Sequence, residues 1–392
     1  MNIKSENQLS FKESFDDENE LVKYGQSIIN FNNNYSEISI LKETNLNSQD
    51  KNTLLFGLFD GHNGPEVSKY LSLHFSQFLT ENINFLNANY EKSLKETFIN
   101  IDDSLRSSEA QLELSKYSIK KEEENIINKN EIFYDFFELF EPRNLEGVNI
   151  SEFCGSSGIV ILITDKKVFI ANIGNSKCIP INDKNEIMKD KINREHILND
   201  EYEINRLKEK FGLNINDNLI VNINDIKKDK IKDNFFSNFP LITTRGFGDM
   251  QYKESKIINL GYQYISNEPD IIEIPIDELK YLIIGNYGCF NNNDNEISLE
   301  KYFLDKYMNN KEQKLSLIID GFFEEKYLIK KGNNNVDNRI NNLASIIIEF
   351  KSDNGLNIAN NNIFFEEDKD VIHDKEDSPN KKKQSEDEED NV

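Results

Sequence analysis

The sequence predicts an α+β domain, on three observations: a short apolar run that stops at an Asp-Gly pair, a segment with helical spacing behind it, and two further apolar runs split by a charged pair. The run Thr53-Leu54-Leu55-Phe56-Gly57-Leu58-Phe59 has strand length and stops at Asp60-Gly61-His62-Asn63-Gly64, where turn-forming residues interrupt it. Behind it, Val67, Leu71, Phe75 and Phe78, then Leu94, Phe98, Ile101 and Leu105, recur every three or four residues, which predicts two helices over 65–105. Gly158–Thr164 and Lys167–Ile173, split by Asp165-Lys166, predict a hairpin of buried strands.

Around this centre the chain divides into three parts. Residues 1–22 are polar and mixed in charge and predict a flexible arm; the main domain covers 23–352; residues 353–392 predict an acidic, disordered tail that ends Ser385-Glu386-Asp387-Glu388-Glu389-Asp390. Within the domain, 107–153 loses all period around Lys120-Lys121-Glu122-Glu123-Glu124 and is expected to be an inserted surface excursion with one apolar patch at Phe133–Phe140. Later strands are expected at Tyr281–Ile284 and Ser345–Phe350, and Leu315–Leu328 as an amphipathic helix carrying Asp320.

Composition narrows the function. The 392 residues suffice for one large core with appendages. Forty-six basic against 70 acidic residues leave a net charge of -24, which repels phosphate backbones and anionic headgroups, so neither nucleic acid nor membrane is expected as a partner. Cys154, Cys178 and Cys289 are odd in number and scattered, which fits neither a disulfide framework nor a zinc motif and points to a reduced intracellular, cytoplasmic setting. Met1-Asn2-Ile3-Lys4 opens no apolar stretch, and no run approaches the roughly 18 apolar residues of a membrane span.

Five separated blocks, in order, resemble the PP2C-type family of metal-dependent Ser/Thr phosphatases. Phe56-Gly57-Leu58-Phe59-Asp60-Gly61-His62-Asn63-Gly64 resembles FGVFDGHGG, followed by a helix-like block from Leu94 to Asp102-Asp103. Gly155-Ser156-Ser157-Gly158 through Ala171-Asn172-Ile173-Gly174-Asn175-Ser176-Lys177 resembles GSTA…ANVGDSR. Leu241-Ile242-Thr243-Thr244-Arg245-Gly246-Phe247-Gly248-Asp249 with Glu268-Pro269-Asp270-Ile271 resembles LAVTRALGD and EPDV, and Asn341–Ile348 resembles the terminal DNMSVILV strand. The resemblance implies a four-layer α-β-β-α sandwich: two antiparallel sheets face to face with helices outside.

It also implies chemistry: water activated between two Mg²⁺ or Mn²⁺ ions, hard cations that want oxygen ligands. Two such ions about 4 Å apart repel by about 16 kcal/mol at an effective dielectric of 20, so several fixed carboxylates are required. Asp60 matches the bridging aspartate, Gly61 a carbonyl ligand, and Glu37 a residual acid, but Asn175, Tyr287 and Asn341 stand where the family has aspartates. Asn32 stands where the phosphate-gripping arginine belongs. An asparagine lends an oxygen but no charge, and a neutral phenol is a poor ligand. His62 matches the family's general-acid histidine and is vestigial without activated water; as an ordinary residue it is a polar loop histidine. Asp337, four residues before Asn341, is the one acid placed to rescue the metal site; Asp249 and Asp270 suit structural roles.

The expectation is therefore a catalytically impaired phosphatase-like domain, a pseudophosphatase that binds a protein partner or serves as scaffold, with no cofactor. The alternative is a weak or single-metal phosphatase that uses Asp60, Glu37 and Asp337 with Mg²⁺ or Mn²⁺. Metal-dependent stabilisation separates the two.

Overall fold

The computed structural model describes residues 11–31, 33, 35–46, 52–118, 149–197, 200–211, 243–253, 265–290, 298–332 and 342–351. Three of the residues singled out above, Asn32, Asp337 and Asn341, lie outside them, as do the centre of the 107–153 segment and the 353–392 tail.

Among the described residues, eleven strands form two antiparallel sheets. The first sheet takes β1 (Phe11–Glu18), β2 (Val22–Asn30), β11 (Asn342–Phe350), β10 (Tyr281–Gly285) and β7 (Lys177–Ile181) in that order. The second takes β3 (Ile38–Glu43), β4 (Leu54–His62), β5 (Gly155–Ile163), β6 (Lys167–Ile173) and β9 (Asp270–Pro275), with the short β8 (Phe247–Gly248) on β5. Helices α1 (Glu66–Thr80), α2 (Ile83–Leu86), α3 (Tyr90–Ser104) and α4 (Ser108–Tyr117) follow β4, and α5 (Glu201–Phe211) follows β7. A single turn, α6 (Tyr287–Phe290), then α7 (Leu299–Asn309) and α8 (Leu315–Gly332), fill the stretch between β10 and β11.

The apolar runs are continuous because both faces of each sheet are covered, and the pleat distributes alternate residues to two cores. Along β4, Leu54, Phe56 and Leu58 face the other sheet while Leu55 and Phe59 join Phe75, Leu94 and Phe98 of the helices outside. Along β5, Ile159, Ile161 and Ile163 point inward and Val160 and Leu162 outward. The first sheet repeats the arrangement: Leu282, Ile284, Ala344, Ile346 and Ile348 meet the second sheet, and Tyr281, Ile283, Leu343 and Ile347 pack against Leu299, Phe303, Leu315, Ile319 and Phe323. The expected four-layer sandwich is thus the observed one, with the Asp165-Lys166 hairpin between β5 and β6.

Two boundaries are corrected. The flexible arm expected over 1–22 is structured from Phe11: β1 pairs with β2 along its whole length, Phe11 opposite Asn30 to Glu18 opposite Lys23. Its residues look like an arm because β1 is an edge strand with most side chains exposed, so its order comes from ladder hydrogen bonds and from contacts with α8. There Ser14 Oγ and Ser27 Oγ donate to Asp320 Oδ1 at 3.0 and 2.6 Å, and Lys12 Nζ lies 3.0 Å from Asp320 Oδ2. Asp320 thus sits on its helix, as expected. The second correction concerns 107–153: Ser107 caps α4, its Oγ accepting from Ala110 N–H at 3.1 Å, and Ala110 and Leu114 are buried among the outer helices. Two buried apolar positions on a ten-residue helix, with Leu112 exposed, are too few to reveal a period. Among the described residues no helix is long and apolar enough to cross a membrane.

Candidate functional site

Strand β4 ends in Asp60-Gly61-His62 and turns sharply through Asn63 (φ 59°) and Gly64 (φ 132°) into α1. Glu37 lies just ahead of β3, whose register sets Ile38 opposite Asp60, so Glu37 sits beside Gly61. Gly61 N–H donates to the Glu37 carbonyl at 3.2 Å, and a Cβ on Gly61 would approach that carbonyl within 2.5 Å. Glycine is therefore required there for close approach, whatever its carbonyl does.

Two sheets meet at this point. Asn286, one residue past β10, donates from Nδ2 to Asp60 Oδ2 at 3.2 Å and to the Asn342 carbonyl at 3.0 Å, while its Oδ1 accepts from Ala344 N–H at 3.2 Å. One amide ties β4 of the second sheet to β11 of the first. Asn175 is buried in the turn between β6 and β7, and Tyr287, half-buried, opens α6. Because side chains alternate past the strand end, Asn286 reaches across to Asp60. Asn286 was the residue that motif matching passed over, although it lies inside the Gly285-Asn286-Tyr287-Gly288 block.

His62 Nε2 lies 2.7 Å from Asp249 Oδ2, and Asp249 is held by its own N–H donating to the Cys154 carbonyl at 3.0 Å. The pair closes over Gly155, where any side chain would collide with both. Glu37 and Asp60 touch solvent on one side and protein on the others. Burial, then the neighbouring Asp60, pushes Glu37 up to about 7. Burial pushes Asp60 up to about 6 against the opposing pull of the Asn286 amide and His62. For His62, burial acts to lower the pKa, but the Asp249 carboxylate outweighs it and the net shift is upward.

A second constellation sits away from the cleft. Arg245 donates to Glu203 Oε1 at 2.6 Å and to Asp270 Oδ1 at 2.9 Å, Thr244 Oγ1 to Glu203 Oε2 at 2.7 Å, and His196 Nε2 lies 3.1 Å from Asp270 Oδ2. This gives Asp270 the structural role expected of it.

A model of the family described as protein phosphatase 2C matches residues 25–119 and 127–296. The chain belongs to the protein phosphatase 2C family. Among relatives, a probable protein phosphatase 2C 6 of Paramecium tetraurelia is 24% identical over 341 residues, 87% of this chain and 96% of that one. A probable protein phosphatase 2C 2 of the same organism is 26% identical over 60% of this chain, and the chain spans only 63% of its length. A solved serine-threonine phosphatase 2C of Toxoplasma gondii shares the fold with a TM-score of 0.58 at 12% identity, over 87% of this chain and 99% of that one.

Two divalent ions do not fit the residues described in this 2C-type domain. Among them, no three His, Cys, Asp or Glu side chains converge to hold a metal. One oxygen of Asp60 is engaged by the Asn286 amide, and Asn286 and the motif positions Asn175 and Tyr287 carry no charge.

Proposed function

We propose that this protein phosphatase 2C domain is non-catalytic and serves as a protein-binding module. The observation that supports this reading is the Asn286 amide bound to Asp60 Oδ2: the aspartate that matches the family's bridging ligand is satisfied by a neutral donor. Asn175 and Tyr287, which stand where the family has aspartates, add no charge to offset a pair of cations. His62 keeps its partner Asp249, yet a proton donor without an activated nucleophile completes no hydrolysis.

The test is hydrolysis of p-nitrophenyl phosphate and phosphopeptides by the full chain with Mn²⁺ or Mg²⁺, beside Asp60→Ala. The expected result is equal, background-level turnover for both. Metal-dependent turnover abolished by Asp60→Ala would establish instead a weak or single-metal phosphatase built on Asp60 and Glu37.

A further inference from the structure

We propose that His196 is an acid-sensitive clip on the turn by which the chain crosses between the two sheets, and that its protonation opens that turn. Strand β6 belongs to the second sheet and β7 to the first, so Gly174, Asn175 and Ser176 make the crossing. The segment 193–196 runs along it. Asn193 Oδ1 accepts from Cys178 N–H at 2.6 Å, and its Nδ2 donates to the Ser176 carbonyl at 2.9 Å. His196 closes the other end: its own N–H donates to the Gly174 carbonyl at 2.8 Å, and its Nδ1 accepts from Gly174 N–H at 3.1 Å.

That last contact fixes the place of the imidazole proton. A ring nitrogen that accepts from a backbone N–H carries no hydrogen, so neutral His196 bears its one N–H at Nε2. Nε2 lies 3.1 Å from Asp270 Oδ2, off the line of a full hydrogen bond. Adding a proton at Nδ1 sets two donors face to face across 3.1 Å and removes the bond to Gly174. The turn has no slack to absorb this, since Gly174 is at φ 95° and even a Cβ there would collide with Ser157 of β5.

The charged groups around the ring do not reverse the balance. Asp270 on β9 attracts a proton, but Arg245, ahead of β8, holds its other oxygen at 2.9 Å and holds Glu203 of α5 at 2.6 Å. On the segment of His196 itself, Arg194 is turned to Asp200 and Glu195 to Lys177. The ring is wholly buried, and burial, together with Arg245, outweighs Asp270 and Glu203 and lowers the pKa of His196. The open turn, with its imidazole solvated, therefore binds the proton more tightly than the closed one. Closure is favoured above the ordinary histidine value of 6.5 and is lost as pH falls below it.

The experiment uses the full chain between pH 7.5 and 5, reading the histidine rings by long-range proton–nitrogen spectra and the backbone by amide hydrogen exchange corrected for its intrinsic rate. The four histidines are assigned by single substitution to Gln. At pH 7.5 His196 is expected as the Nε2–H tautomer, and its protonation below the range of free histidine. Protection of the Gly174 amide should fall about tenfold or more in step with that protonation, while Val160 of β5 keeps its protection. In His196→Gln, whose amide oxygen can accept from Gly174 N–H but takes up no proton, Gly174 protection should be independent of pH over this range. An Nδ1–H tautomer at pH 7.5, Gly174 protection that ignores His196 protonation, or a pH-dependent loss that persists in His196→Gln each overturns the inference. Equal loss at Val160 would reveal acid unfolding of the whole domain and overturns it as well. Tautomer and titration are read on the unsubstituted chain, so they decide the matter even where His196→Gln fails to fold.

Discussion

The site at the end of β4 and the buried ion-pair networks elsewhere in the domain carry charge in opposite ways. At the turn after β4, burial and then the neighbouring Asp60 raise Glu37 to about 7, and burial raises Asp60 to about 6 against the pull of Asn286 and His62. In the network around Arg245, burial also acts to raise Glu203, but Arg245 and Arg206 overcome it and hold the carboxyl at about 2. Asp102 is similarly served: Lys253 Nζ, Asn267 Nδ2 and Gly248 N–H each donate to it at 2.8 Å. The acids of the architecture are held by basic side chains, while Asp60 and Glu37 are held by the neutral Asn286 amide and the Gly64 N–H.

The largest effect that sharpens this contrast is expected at Asp102. Asp102→Ala leaves the Lys253 ammonium, 1% exposed, without its carboxylate, and should cost about 3–5 kcal/mol in denaturant unfolding. A loss below 1 kcal/mol would show that the network is ornamental and the comparison empty.

Next in size is the pH response, which should have opposite signs in the two regions. A carboxyl whose folded pKa is raised binds its proton more tightly when folded, so Glu37 and Asp60 favour the folded state in acid and lose that contribution as pH rises from about 4.5 to about 7. Glu203 is depressed, so its contribution is present above about 4.5 and lost as pH falls toward about 2. Glu37→Gln with Asp60→Asn should therefore raise stability at pH 8 relative to pH 5 by about 1–3 kcal/mol compared with wild type. Identical pH profiles from thermal melts would contradict these shifts.

The smallest change is expected at Asn286. Asn286→Ala removes one amide that joins Asp60 to β11 and should destabilise by about 1 kcal/mol while raising the Asp60 pKa further, read by carbon NMR of the carboxyl. An unchanged Asp60 titration would remove Asn286 from the site.

The sequence made the sheets legible where period and punctuation agree, as at Leu54–Phe59 and the Asp165-Lys166 hairpin, because strands covered on both faces become unbroken apolar runs. It concealed β1, whose FKESFDDE is stabilised by a partner strand rather than by its own burial, and α4, with two buried apolar positions in ten. In the cleft, Asp60, Gly61, His62 and the neutral Asn175 were visible as motif positions. Asn286 was not, because what marks it is a contact across two sheets, which has no signature along the chain.

The pairing of β2 with β11 has a consequence for synthesis. Val22–Asn30 lies against Asn342–Phe350, so the first sheet joins segments more than 300 residues apart in the chain. At about 5–20 residues per second, β2 leaves the ribosome on the order of tens of seconds before its central neighbour exists. During that interval four strands of the second sheet, β3 to β6, and the helices around α1, all encoded before residue 174, can assemble without it. Nascent chains stalled ahead of Asn342 should thus present a half-built sandwich whose inner apolar face is open to chaperones, and release from that state should coincide with emergence of β11.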